Sequence, residues 1–212
     1  YMRILKIFFS SINKLILFFL PLFACADTVT ILSDKWYPVN GDPTSSKPGY
    51  MIDIAQVILK TNGHFLDYRL APWTRSISEV RKGRADCIVG AYKEDATDFI
   101  FPENSWGKAQ FGLYTNENSL WTFNRIEDLF LIRLGAIAGY AYSPKVDEYI
   151  EKNYRLPAVQ LVAGENSLEQ NIRKLLAKRI DALVASNVVI DSKMKQLNIT
   201  GKLRFAGAIE PS

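Results

Sequence analysis

The chain is 212 residues long, with 48% hydrophobic and 23% charged residues and a formal net charge of +4. Three of the positive charges, Arg3, Lys6 and Lys14, precede the first acidic residue, Asp27, so the remainder of the chain is near neutral, formally +1. That balance offers no basic surface for nucleic acid or an anionic membrane. The length and the lack of low-complexity stretches suit one large core or two small ones.

At the N-terminus, residues 15–23 form an apolar run broken only by Pro21, with the small residues Ala24-Cys25-Ala26 directly after it. Basic residues, a short apolar run and an A-x-A site predict a cleaved export signal over residues 1–26. A membrane anchor would need about 20 apolar residues in a row. Acylation of Cys25 is the weaker alternative, because bulky Phe23 stands two residues before it. No later segment is apolar for long enough to span a bilayer. The expected product is periplasmic, with Cys87 as its one cysteine, set in the apolar run around Ile88 and Val89 and read as a small buried hydrophobe.

Residues 28–32 are short and β-branched and predict a first strand. Tyr50, Ile54, Val57 and Ile58 recur at helical spacing, and Gly63 falls just past the helix end. Residues 65–70 predict a second strand, and 76–82 a short helix stopped by Gly83. Residues 85–91 are continuously apolar in character and predict a third strand buried on both faces. This alternation is the mark of βαβ units and a parallel sheet.

Residues 111–119 (FGLYTNENS) read as an extended crossover able to act as a hinge. Beyond it lies a second round of elements. It comprises a short helical segment at 126–130, a strand at 132–138, a helix at 144–154 with Pro144 in its first turn, and a strand at 159–162. A helix then runs from Ser167 to about residue 178, opened by a capping-box spacing of Ser167 with Gln170, before strands at 180–185 and 202–206. The stretches 80–86 (VRKGRAD) and 176–181 (LAKRID) echo each other: each is a basic helix end running into a strand that begins with Asp. The expected organisation is two α/β lobes, 27–115 and 116–206.

Several motifs carry a resemblance. Trp36-Tyr37-Pro38 is an aromatic-x-Pro turn, Gly49-Tyr50-Met51-Ile52-Asp53-Ile54 opens a helix, and Gly83-Arg84-Ala85-Asp86 comes after the helix that Trp73 precedes. Leu134 to Gly139 (LGAIAG) and Arg179-Ile180-Asp181-Ala182 mark the second lobe. In order and spacing these resemble bacterial extracellular solute-binding proteins of family 3, the type II periplasmic binding proteins that usually serve ABC transporters of polar amino acids. The resemblance implies a two-lobed α/β fold, each lobe a mainly parallel sheet flanked by helices. It implies capture of a small polar solute by a monomer that needs no cofactor and delivers to an inner-membrane ABC permease. It also implies that residues 207–212 begin a return crossover to the first lobe, with the C-terminal part of the fold missing.

Two departures bear on the ligand. Members that bind α-amino acids carry an arginine soon after the third strand for the carboxylate, but residues 93–98 read KEDATD. They carry an aspartate for the ammonium where this chain has Ser186. A bidentate guanidinium and its matched carboxylate are not replaced without changing the ligand.

Ligands of open α/β sheets bind beyond the carboxyl ends of the strands. That rule selects the loops at 34–38, 71–75, 90–93, 139–142 and 186–187. In them, Trp36 and Trp73 are candidates to sandwich the ligand, as the resemblance implies. Arg75, at a helix start where a cation gains nothing from the dipole, is a candidate for an anionic group. Gly90, Ala91 and Tyr92 end the third strand and offer backbone groups and a wall. Gly139 and Tyr140 precede a helix whose free N–H groups suit an anion, Tyr142 offers a hydroxyl, and Ser186 and Asn187 suit a neutral polar group. The bland alternatives are core packing for the two tryptophans, a solvated surface side chain for Arg75 and ordinary helix capping for the later candidates.

The adjacent carboxylates Glu94 and Asp95 read as solvated, and the single histidine, His64, lies in a polar turn. No nucleophile elbow, metal-ligand spacing or phosphate loop occurs. No catalytic or metal-ligating residue is therefore assigned. A cyclohexadienyl dehydratase-like enzyme and a sensory solute-binding module on the same fold are the alternatives.

Overall fold

A computed structural model describes residues 26–209, so the export signal predicted for 1–26 lies, but for Ala26, outside the described residues, as do residues 210–212. Two sheets form. In the first, β1 (Thr28–Ser33) is central, with β2 (Phe65–Leu70) and β3 (Cys87–Ile88) parallel on either side. The register pairs Thr28 with Phe65 and Ile31 with Cys87. Helix α1 (Tyr50–Thr61) buries Ile52 and Ala55 against Ile31 and Val89, a small core. Helix α2 (Trp73–Arg81) turns Trp73, Ser76 and Ile77 inward.

The third strand is much shorter than its apolar sequence predicts, and its two residues are half-buried rather than buried on both faces. Asp86 ends the ladder on one side: its N–H donates to the Thr30 carbonyl while its carboxylate takes the Thr30 N–H at 2.7 Å. Gly90, with φ of +83°, turns the chain out of the strand on the other. The Cys87 thiol is pushed up to about 11 by burial, in keeping with an inert small hydrophobe.

The second sheet has five strands: β4 (Phe111–Asn116), β5 (Leu134–Ile137), β6 (Val159–Val162), β7 (Ala182–Ser186) and β8 (Leu203–Ala208). Their spatial order is β6-β5-β7-β4-β8. Strands β5, β6 and β7 are parallel, and β4 runs antiparallel between β7 and β8. The sequence predicts β4 as a free crossover closing the first lobe at 115, but it is hydrogen-bonded within the second sheet. The chain instead crosses between the sheets through residues 89–110, the one such passage among the described residues.

Helices α3 (Pro144–Asn153) and α4 (Ser167–Leu176) cover this sheet. Leu168, Ile172 and Leu175, spaced four and three, put one face of α4 on Leu134, Leu183 and Ile180. The predicted capping box does not form. Asn166 is the cap residue, and the Ser167 hydroxyl turns back to the Gly164 carbonyl at 2.6 Å. Helix α5 (Asn187–Gln196) has no sequence-level counterpart, for it lacks a continuous apolar stripe. No helix among the described residues is long and apolar enough to cross a membrane.

The repeated Asp signature has a shared structural role. Asp181 takes the Arg133 backbone N–H at 2.8 Å and returns its own N–H to the Arg133 carbonyl, as Asp86 does with Thr30. Each aspartate locks the start of its strand to the neighbouring parallel strand.

Candidate functional site

The carboxyl ends of β1, β3, β5 and β7 meet across a cleft between the sheets. It is divided into two narrow adjoining pockets, and Asp34, Trp36, Phe111 and Tyr140 line both. The first reaches Lys35, Tyr142, Glu165 and Ser186, and the second Asn40, Trp73, Gly90, Tyr92 and Asp95.

The aromatic wall spans the two units. Trp36, in the loop after β1, stacks on Phe111 of β4 at 6.2 Å between ring centroids and 25° between planes. Trp73 meets Tyr140 edge-on at 5.8 Å, and Phe111 meets Tyr142 at 5.3 Å. Both tryptophans are buried, at 8% and 5% exposure, and both line the cleft, so they serve core and site together.

Two carboxylates from the first unit reach the turn after β5. Asp34 is only 6% exposed and accepts a short hydrogen bond from the Tyr140 hydroxyl. Burial raises its carboxyl to about 6, against the lowering effect of that bond. Asp95 accepts the Tyr92 N–H at 2.8 Å and the Ala141 N–H at 2.9 Å. Burial likewise raises it to about 6, partly offset by those two bonds and by the Trp73 indole, which faces it without reaching hydrogen-bond geometry. Asp95 is thus no solvated loop acid, whereas Glu94 is exposed.

The turn at 139–142, predicted to receive an anion, does so, but the anion is Asp95 of the same chain. The next N–H, from Tyr142, goes to Asp147 at 3.0 Å. The Tyr142 hydroxyl oxygen accepts the Ile137 N–H at 2.8 Å, so it is engaged with the backbone at the end of β5. Gly139 has φ of +79°, and a Cβ there would lie 2.5 Å from Thr74 Cγ2, so a glycine lets the two units meet.

Of the other sequence candidates, Gly90, Tyr92 and Ser186 line the pockets. Three do not. Arg75 is exposed outside both, because Trp73, Ser76 and Ile77 take the inward face of α2 and leave Thr74 and Arg75 between them exposed. Ala91 packs half-buried beside Trp73 and Ile77. Asn187 accepts the Tyr114 hydroxyl at 2.9 Å and donates its backbone N–H to Gln110, so it serves the start of α5. Sequence reasoning missed Asp34, Asn40, Asp95 and Phe111. The loop rule did include position 34, and a polar residue directly after a buried strand was the available signal.

Among the described residues five buried side-chain polar atoms lack a partner, and three of them lie in this cleft: Asn40 Oδ1, Trp73 Nε1 and Ser186 Oγ. The orientation of Asn40 is fixed, since its Nδ2 donates to the Asp34 carbonyl at 2.6 Å and to Ser33 Oγ at 2.9 Å. Its oxygen therefore faces the second pocket as a free acceptor. Buried polar atoms left unpaired cost about 1–3 kcal/mol each, which makes their concentration here informative. Among the described residues no group of three His, Cys, Asp or Glu side chains is placed to hold a metal.

No family model matches the chain, and no curated protein matches it. Solved structures do. The arginine-bound form of truncated ArgBP from T. maritima is 15% identical, with a TM-score of 0.70 over 87% of this chain and 84% of that one. The substrate-binding protein of an amino acid ABC transporter is 17% identical, with a TM-score of 0.66 over 86% and 84%. A histidine kinase sensor domain with similarity to periplasmic binding proteins is 18% identical, with a TM-score of 0.68 over 87% and 78%. At such identities the likeness is one of fold. The chain has the mixed α/β, two-sheet fold of periplasmic binding proteins.

Proposed function

We propose that this protein is an extracytoplasmic solute-binding protein whose two units hinge about residues 89–110 and close on a small polar solute, without covalent chemistry. The observation that carries this reading is the set of unpartnered buried atoms, Asn40 Oδ1, Trp73 Nε1 and Ser186 Oγ, facing one cleft between two sheets. A polar guest would supply what the protein leaves unmade, and closure would bury that guest against Trp36 and Trp73. The solved binding proteins of the same fold, including one of an amino acid ABC transporter, favour an amino-acid-like solute and delivery to an ABC-type permease in the inner membrane.

The test is a thermal-shift screen of amino acids, amines and small carboxylates, with calorimetry on the hits. Saturable binding with a raised Tm and an unaltered solute recovered afterwards is expected. Turnover of the solute, or no stabilisation by any member, would overturn the reading. The fold shared with a histidine kinase sensor domain supports a second use of the same site, reporting the solute rather than delivering it. Loss of solute uptake on deleting the gene favours delivery, and unchanged uptake favours reporting.

A further inference from the structure

We infer that the second pocket takes the cationic end of its solute, a protonated amine or guanidinium, seated between Asp34, Asp95 and the free oxygen of Asn40. This rests on the solute-binding reading and names the chemistry of the site.

In that pocket three acceptor side chains face one unpartnered side-chain donor. Asp34 and Asp95 present carboxylates, and Asn40, 1% exposed, presents an oxygen that no protein group satisfies. Among the described residues the one buried side-chain donor left over in that pocket is Trp73 Nε1. No lysine or arginine lines the second pocket. Of the two cations next to its lining residues along the chain, Lys35 lines the other pocket, where Glu165 also sits, and Lys93 is exposed. Carboxylates held in such surroundings without a cation are costly, and a ligand cation is what removes the cost.

The walls suit the same guest. Trp36, Trp73, Phe111, Tyr92 and Tyr140 surround the carboxylates with ring faces and edges, and cations are drawn to aromatic faces. Gly90 keeps the approach to Asn40 open, since a Cβ there would lie 2.9 Å from Asn40 Oδ1.

Tyr140 bears on how the guest arrives. Its hydroxyl donates to Asp34 and its ring borders both pockets. That O–H holds the place at Asp34 that an N–H of the solute would take, so an entering cation must displace it. Tyr140 acts here as a competitor rather than as a ligand-binding group. Neither pocket is lined by an arginine of the kind that the family's usual headgroup site presents to a carboxylate. A solute bearing a cation without a carboxylate is therefore accepted as readily as one bearing both.

Calorimetry on the purified chain at pH 7.5 tests this with L-lysine, L-arginine, putrescine and agmatine, against counterparts uncharged at the terminal end, L-norleucine and L-citrulline for the two amino acids and 1,4-butanediol for the two amines without a carboxylate. At least one cation should bind, and at least tenfold more tightly than its uncharged counterpart. Asp34→Asn should weaken that cation by thirtyfold or more. Tyr140→Phe should strengthen it several-fold, an effect that general damage to the cleft would not produce. Asp95→Asn, expected to weaken binding about tenfold, serves if Asp34→Asn fails to fold. Equal binding of the uncharged counterparts, unchanged affinity in both carboxylate variants, or failure of all four cations overturns the assignment. If the cations fail while a neutral or anionic solute binds saturably, solute capture stands without it. If nothing binds, both readings fall.

Discussion

Asp34 and Asp95 illustrate how burial sets the behaviour of single residues in this protein. Both carboxyls are raised by burial to about 6, from 3.8 in an exposed chain. Between about pH 4 and pH 6 the folded chain therefore holds protons that the unfolded chain has lost. Their effect on stability is nil below that window and increasingly unfavourable as pH rises through it, reaching on the order of 3 kcal/mol for Asp34 above it. The groups facing Asp34 are Asp95, Lys35, Glu165, Tyr68, Tyr140 and Tyr142. The Tm of the chain alone is expected to fall from pH 4.5 to pH 7, and Asp34→Asn should flatten that slope. A slope unchanged by the substitution would show that Asp34 is not the group titrating. A second residue-scale expectation concerns Trp73. Exchange for phenylalanine keeps a ring in the wall but removes the unpartnered N–H, and should weaken solute binding by about 1 kcal/mol with little change in unfolding free energy. Affinity equal to that of the original chain would remove the indole N–H from recognition.

At the level of elements, the two strand-initial aspartates make a paired test. Asp86 and Asp181 each stand directly before their strand and fasten its start to the adjacent chain by two bonds, one from the backbone N–H and one to the carboxylate. Asp181 adds an ion pair with Arg133 at 2.8 Å, but both side chains are about two-fifths exposed, so solvent screens most of its worth. Alanine at either position should cost about 1–2 kcal/mol in urea unfolding, with similar values despite the extra pair at Asp181. A much larger loss at Asp181 alone would assign the stability to the ion pair. Gly90 ends β3 with a positive φ and closely approaches Asn40. Gly90→Ala should therefore cost about 1–2 kcal/mol in stability and also reduce solute affinity.

For the molecule as a whole, the two units are unequally built. The first rests on Ile31, Ile52, Ala55 and Val89, whereas the second has a core running through Leu113, Leu134, Ile172 and Leu183 and even takes in Trp36 from the first unit's loop. Hydrogen exchange should find the amides of β5 and β7 protected more strongly than those of β1 and β2. Equal protection would mean that the units unfold together. Most of this architecture is legible in the sequence, because alternating strands and helices with glycine stops report local geometry directly. Strand β6 is even bounded correctly. What cannot be read is whatever depends on the other unit: the burial of Asp95 comes from the turn at 141, and residues 111–119 read as an extended crossover without disclosing that a sheet receives their first half. The same holds in the cleft. Loops at strand tips are dictated by topology, and so Trp36, Trp73 and Tyr140 are found. Asn40 escapes because its importance arises from a carbonyl that fixes one end of its amide and leaves the other free.

The contacts Tyr140 makes with Asp34, and Ala141 with Asp95, are supplied wholly by the protein. On the proposed closure, the two units would therefore shut on bonds of their own making as well as on a guest. A downstream reader that sensed only the outline of the shut form would respond to idle molecules as well as loaded ones, so faithful signalling must draw on the loosening of these internal clasps as a guest replaces them.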